Sequence, residues 1–272
     1  MNYDNKRQKN IDIAVVVILP VIAAIITFFL KTNYLISILL FFGTPSLYLA
    51  MRNSKIVNKS AIFALIFGTA FYWIIEPVAY LNNSWIITET VFPFKFLGLV
   101  TIDSYFFALL WAFYATLFYK FFFESTKKNN IISHRIYYFL YSAIILILVI
   151  LIFFYTDKTY IYIPYFYLIS GGLFAVVPLV LFLYNFPSFW RKFLIIGVYF
   201  TFLMFLFEAA ALSAGQWVFP TNGNFIKVIN FFGNPAPVEE LVIWIIIATP
   251  ALVSYYEFLM KDKKIPRSNS FN

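Results

Sequence analysis

Five acidic residues lie inside or at the edge of long apolar segments: Glu76, Asp103, Glu208, Glu239 and Glu240. A carboxylate in a hydrocarbon environment costs at least about 2.5–3.5 kcal/mol, so such a residue faces the protein interior, is paired, or carries a proton. Several carboxyl groups in one dry site can supply both a general acid and a general base. The residue types therefore point to proton-transfer chemistry.

Other kinds of chemistry have little support in the composition. The chain has no Cys and a single histidine, His134, so it offers no thiolate nucleophile, no thiolate metal site and no histidine metal site. It also lacks a Gly-rich dinucleotide fingerprint. We therefore expect no metal and no cofactor. The remaining acids are predicted to lie near polar ends or in loops: Asp4, Asp12, Glu89, Glu124, Asp157, Glu257 and Asp262.

Each of the five apolar-segment acids also has a purely structural interpretation. Asp103 and Glu239 fall at predicted helix N-termini, where a carboxylate can cap backbone N–H groups and interacts favourably with the helix dipole. Glu240 directly follows another acid and is not needed as a cap. Glu76 and Glu208 fall in or just after the last turns of their helices, where the dipole disfavours an anion. The functional interpretation is therefore favoured for Glu240, Glu76 and Glu208.

The segments that must position these acids are those of a membrane protein. The chain has 272 residues, of which 62% are hydrophobic and 12% charged, whereas soluble domains average about 25% charged residues. A soluble globular protein is therefore excluded. Apolar runs of roughly 20 residues, enough to cross a bilayer, occur at 11–30, 33–50, 59–80, 102–123, 136–155, 160–184, 190–212 and 237–259. We predict an all-α integral membrane protein with about eight transmembrane helices.

The distribution of positive charge predicts the topology. Of the 20 Lys and Arg residues, 16 lie at the N-terminus or after helices two, four, six and eight. By the positive-inside rule, both termini are predicted to lie in the cytoplasm. The protein itself is predicted to lie in the cell membrane. The net charge of +8 therefore reflects topology, and nucleic acid is not an expected partner. All five acids then lie at one depth, beneath the outer loops 81–101 and 213–236, and helices three, four, seven and eight are expected to form the centre.

The sequence also contains an apparent internal repeat. Glu76 is followed nine residues later by Trp85, and Glu208 is followed nine residues later by Trp217, with both pairs 132 positions apart. We predict two parallel four-helix repeats related by an axis along the membrane normal. The predicted organisation is an N-terminal tail (1–10), a first repeat (11–124), a basic cytoplasmic linker (125–135), a second repeat (136–260) and a polar cytoplasmic tail (261–272). The two tryptophans are either interfacial anchors or substrate contacts.

The segment Pro237-Val238-Glu239-Glu240, preceded by Glu208 and by Gly215-Gln216-Trp217, resembles the lycopene cyclase domain family. These are flavin-free membrane carotenoid cyclases, commonly with two tandem domains. The resemblance covers residues 200–259 well and 68–123 weakly. The first copy departs from the pattern, because Thr101-Ile102-Asp103-Ser104 replaces Pro-x-Glu-Glu.

The resemblance implies an isomerase or intramolecular lyase of carotenoid biosynthesis. Its substrate would be lycopene or a related isoprenoid that enters from the bilayer, and its acids would protonate a terminal double bond and then remove a neighbouring proton. Glu239 aligns with Asp103, which suggests a shared capping or orienting role. Glu240 is therefore the expected proton donor and Glu208 its partner. Two alternatives remain: a transporter of a lipid or small cation, and a non-catalytic membrane subunit.

Overall fold

The protein is seen here as a computed structural model that describes residues 6–124 and 133–261. Within those residues it has eight helices that are long and apolar enough to cross a membrane. They are α1 (Arg7–Leu30), α2 (Tyr34–Arg52), α3 (Ser54–Leu81), α4 (Ile102–Phe123), α5 (Arg135–Thr156), α6 (Phe166–Asn185), α7 (Pro187–Ser213) and α8 (Glu240–Met260). The polar tail 261–272 and the linker 125–135 lie largely outside the described residues.

The helix bounds lie within three residues of the predicted ones, apart from the starts of the first, third and sixth helices, and the third begins five residues early, at Ser54. The first helix already includes residues 7–10, which were predicted to be part of a tail, because this polar stretch contains neither Pro nor Gly to stop a helix. The sixth helix begins at Phe166 and not at residue 160. A 3₁₀ turn (Lys158–Ile161) precedes it, and Tyr165 is left-handed, with φ of 55°.

Asp157 caps the N-terminus of that 3₁₀ turn. The backbone N–H of Thr159 donates to its Oδ1 at 2.9 Å, and this hydrogen bond lowers the pKa of the Asp157 carboxyl.

The two loops at one end of the bundle contain short strands that the sequence did not predict. We call this end, which carries loops 81–101 and 213–236, the outer end. Strands β2 (Lys95–Phe96) and β3 (Val100–Thr101) form one hairpin, and β5 (Val228–Phe231) and β6 (Asn234–Pro237) form another. Strand β1 (Ile86–Ile87) pairs antiparallel with β4 (Trp217–Val218), which joins the two loops.

Unusual backbone conformations recur at nearly constant spacing along the chain. Eight of the described residues have positive φ, and they form four pairs that are 132 to 135 positions apart. The pairs are Lys31 and Tyr165, Asn83 and Gly215, Leu97 and Phe232, and Gly98 and Gly233. The last two pairs are the central residues of the β2–β3 and β5–β6 turns, where two successive positive φ values match the twist of a hairpin.

Segments of π-helix show both the same spacing and one exception to it. Leu39–Gly43 in α2 and Gly172–Val176 in α6 are π-helical and 133 positions apart. Glu240–Ile247 at the start of α8 is also π-helical, whereas α4 is α-helical throughout Ile102–Phe123. A π-helix accommodates an additional residue per turn.

The centre of the bundle is formed by α3, α4, α7 and α8, as predicted, together with α2. Helix α8 is the most buried helix, and α1 and α5 are the least buried. Helix α2 is buried as much as α7, because Phe42 packs against both Phe107 of α4 and Phe207 of α7. Helices α3 and α4 approach closely at Gly68, where a Cβ atom would lie 3.1 Å from the Ala108 backbone.

Two acids that were predicted to lie at polar ends are buried. Asp12 is completely buried, with Arg52 Nε 2.9 Å and the Tyr48 hydroxyl 2.5 Å from its Oδ1. Glu257 is also buried and accepts a hydrogen bond from Lys261. A nearby cation allows each carboxylate to lie inside the bundle. The hydropathy of the sequence does not show which acids will have such a partner.

Candidate functional site

A cavity lies between the outer halves of the central helices, and we call it the carboxyl cavity. Its volume is about 680 Å³, including its open mouth. Ten of its sixteen lining residues are aromatic and three are acids, and the described lining contains no Lys, Arg or His. It is lined by Tyr34, Phe71, Glu76, Trp85, Ile87, Phe107, Trp111, Tyr167, Met204, Phe207, Glu208, Trp217, Phe219, Glu240, Trp244 and Ala248.

Glu76 and Glu208 are held in the cavity by the same local structure. The indole Nε1–H of Trp85 donates to Glu76 at 3.1 Å, and that of Trp217 donates to Glu208 at 3.0 Å. In each case the helix ends a few residues after the acid and the chain reverses through a left-handed residue, which is Asn83 or Gly215. The reversal brings the tryptophan back over the last helical turns, and this geometry explains the nine-residue spacing.

Glu240 has a different partner, the hydroxyl of Tyr167, which donates to its Oε2. Both side chains are buried and line the carboxyl cavity. Glu240 is the first residue of the π-helical segment of α8, and Tyr167 is the second residue of α6. The ring of Tyr167 stacks on Trp244, with centroids 5.5 Å apart and an interplanar angle of 16°.

Asp103 and Glu239 are buried but are not among the residues that line the cavity. Asp103 accepts a hydrogen bond from the Thr90 hydroxyl, and Glu239 accepts one from the Ile226 backbone N–H at 2.6 Å. Each donor lies thirteen residues before its acid. The second oxygen of each carboxyl, Asp103 Oδ1 and Glu239 Oε2, has no described hydrogen-bond partner, so the prediction that these acids cap the backbone N–H groups of their helices was wrong. Both instead fasten an outer loop to the start of a helix.

The tryptophans also differ from simple interfacial anchors. An anchor directs its indole N–H towards the headgroups, whereas Trp85 and Trp217 direct theirs to carboxylates within the cavity. Their rings pack on tyrosines from the opposite half of the chain. Trp85 lies 5.4 Å from Tyr167 and Trp217 lies 5.3 Å from Tyr34, measured between ring centroids.

Tyr34 and Tyr167 are site residues that the sequence analysis missed. They are 133 positions apart, at the starts of α2 and α6. The same spacing separates Pro45 and Pro178, so aligning the two halves could have drawn attention to the tyrosines. Nothing in the sequence alone, however, indicates that Tyr167 reaches Glu240 and that Tyr34 packs against Trp217.

The hydrogen-bond partners give the three cavity carboxyls different capabilities. An indole N–H can only donate, so the bonded oxygen of Glu76 or Glu208 acts as an acceptor. A phenol hydroxyl can donate or accept, so Tyr167 can remain bonded to Glu240 whether or not that carboxyl carries a proton. The site can therefore deliver a proton from one group and receive one at another. The described residues contain no cluster of three or more potential metal ligands.

Comparisons with protein-family models, with curated proteins and with solved structures gave no match. The residues and geometry of the carboxyl cavity are therefore the basis from which a function can be inferred.

Proposed function

We propose that the chain crosses the cell membrane eight times, as two parallel four-helix repeats with both termini in the cytoplasm. The paired positive-φ residues, the paired π-helical segments of α2 and α6, and the two Glu–Trp pairs support the repeat. The excess of Lys and Arg on one side supports the orientation.

The orientation predicts where a reporter at the C-terminus will lie. A protein fused after Asn272 that is active only in the cytoplasm should report activity, because the last transmembrane helix ends on the cytoplasmic side. A second fusion within loop 213–236 to a reporter active only outside the cytoplasm provides the opposite check. A C-terminal reporter found outside the cytoplasm would contradict the topology.

We further propose that the protein is a carotenoid cyclase of the lycopene beta-cyclase type, which closes a ring at the end of a linear polyene. The observation that carries this proposal is the grouping of three carboxyls in a cavity whose lining is mostly aromatic. Ring closure of this kind changes neither oxidation state nor composition. It requires an acid, a base and protection of a cation from water.

The proposed reaction is balanced by two proton transfers. The Glu240 carboxyl gives its proton to a terminal double bond, and the resulting tertiary carbocation is attacked by a neighbouring double bond to close a six-membered ring. A carboxylate held by a tryptophan, which is Glu208 in our proposal, then removes a proton beside the new cation, and a double bond forms. The aromatic walls stabilise the cation by roughly 2 kcal/mol or more per desolvated contact and exclude water.

Expression in a bacterium that accumulates lycopene tests this proposal against its alternatives. The cyclase is expected to convert the linear pigment into a cyclic isomer of the same mass, with a shift in retention time and colour. A transporter of a lipid or small cation, or a non-catalytic subunit, would leave the pigment unchanged. Unchanged lycopene in cells whose membranes contain the protein would therefore overturn the proposal.

A further inference from the structure

The Tyr167 ring is held tightly at the edge of the carboxyl cavity. It is buried, stacks on Trp244, and lies 5.4 Å from the Trp85 ring on the other half of the chain. Phe219 and Phe225 of the second outer loop pack against it at 6.1 and 5.9 Å. A ring surrounded in this way cannot swing freely, so its hydroxyl is fixed at the Glu240 carboxyl.

A carboxyl that gives up and regains a proton in each turnover needs a suitable partner in both states. In the ionised state it accepts a hydrogen bond, and in the protonated state its O–H can donate one. The Tyr167 hydroxyl can do both by rotating its own O–H, without movement of heavy atoms. A tryptophan N–H, such as those that bind Glu76 and Glu208, can only donate.

The corresponding tyrosine in the first half has no such role. Tyr34 also lines the cavity, but its ring packs edge-on against Trp217, and its described contacts include no hydrogen bond to a carboxylate. The nearby acid at the start of α4, Asp103, is directed to Thr90 in the outer loop. Of the two tyrosines, therefore, Tyr167 has a described hydrogen bond to a carboxyl and Tyr34 does not. The carboxyl belongs to Glu240, at the π-helical start of α8.

We propose that Tyr167 is the positioning residue of the proton donor, which orients Glu240 and stays bonded to it through the catalytic cycle. This inference rests on the proposed cyclase function. Tyr167 acts through Glu240 and contributes no proton to the substrate. Its hydroxyl orients the Glu240 carboxyl through a hydrogen bond, which a phenylalanine in the same aromatic packing could not make.

Tyr167→Phe tests this role because it removes the hydroxyl and keeps the ring. With lycopene in liposomes we expect kcat to fall about 10- to 100-fold, as for the loss of a hydrogen bond to a charged group, while KM changes by less than about twofold. Tyr72→Phe is the matched control, since Tyr72 is buried, does not line the cavity, and its described hydrogen bond is to a backbone carbonyl at 3.5 Å.

A measurement independent of activity separates this inference from the proposed function. The infrared carboxyl band that disappears in Glu240→Gln should shift in Tyr167→Phe and stay in place in Tyr72→Phe. An inactive wild-type protein with this shift would overturn the cyclase proposal and leave the pairing of Tyr167 with Glu240 supported. An active wild-type protein whose Tyr167→Phe variant keeps its kcat, or whose band does not shift, would overturn the role of Tyr167.

Discussion

Glu240→Gln is expected to abolish cyclisation while the protein remains folded in the membrane. Glutamine has nearly the same shape as glutamate and can still hydrogen-bond to the Tyr167 hydroxyl, but it has no acidic proton to give. Loss of a general acid typically lowers a rate by about 10²- to 10⁴-fold. The lycopene-accumulating strain should therefore retain its linear pigment, with an immunoblot of the membranes showing an unchanged protein level.

Glu239→Gln is the matched control for this prediction. It makes the same chemical change at the neighbouring residue, whose carboxyl binds the Ile226 N–H and lies outside the cavity lining. The amide oxygen of glutamine can still accept from that N–H, so activity should fall far less than in Glu240→Gln. The opposite ranking, with Glu239→Gln inactive and Glu240→Gln active, would transfer the donor role to Glu239.

Glu208→Gln is also expected to abolish cyclisation, for a different reason. The amide oxygen can still accept the hydrogen bond from Trp217, so the geometry of the cavity should persist. An amide is nevertheless too weak a base to take a proton from the ring. Pigment analysis should show no cyclic product, and the membrane level of the protein should equal that of the wild type.

Asp103→Asn provides the comparison from the first half of the chain. Asp103 binds Thr90 and does not line the cavity, so the substitution should weaken activity by loosening the first outer loop and should not abolish it. If Asp103→Asn were inactive while Glu208→Gln kept near-normal activity, the chemistry would belong to the first repeat and our assignment would be reversed.

Most of the helices could be predicted, because a helix that crosses a membrane needs about 20 consecutive apolar residues and such a run is visible in the sequence. The fourth helix, 102–123, was predicted at both ends. The start of the sixth helix was not, because it depends on the left-handed Tyr165. The outer hairpins were also missed, since their strands are only two to four residues long and carry too little pattern to be recognised.

The residue types of the candidate site could be predicted, but their arrangement could not. The sequence placed all five apolar-segment acids at one depth, and the structure brings only Glu76, Glu208 and Glu240 into the described cavity lining. Asp103 and Glu239 are diverted by donors in the outer loops, and sequence spacing does not reveal where those donors lie. The contact between Tyr167 and Glu240 depends on how α6 packs against α8, which is a tertiary property.

The local difference between α4 and α8 bears directly on the proposed asymmetry of function. Glu240 opens a π-helical segment that α4 lacks, and π-helical segments are frequent at functional sites. Trp244 lies within this π-helical segment and lines the cavity, as does Phe107 of α4. The second half is therefore the half in which we place the proton donor.

Protonation of the polyene by an acid of the cavity can be tested by a single turnover in D₂O. Protein in liposomes is equilibrated in D₂O until its carboxyl protons have exchanged, and it is then supplied with lycopene in less than equimolar amount. Our account predicts a cyclic product that carries one deuterium for each ring closed, located on the carbon of the original terminal double bond that accepts the proton. A cyclic product without deuterium at that carbon would contradict it.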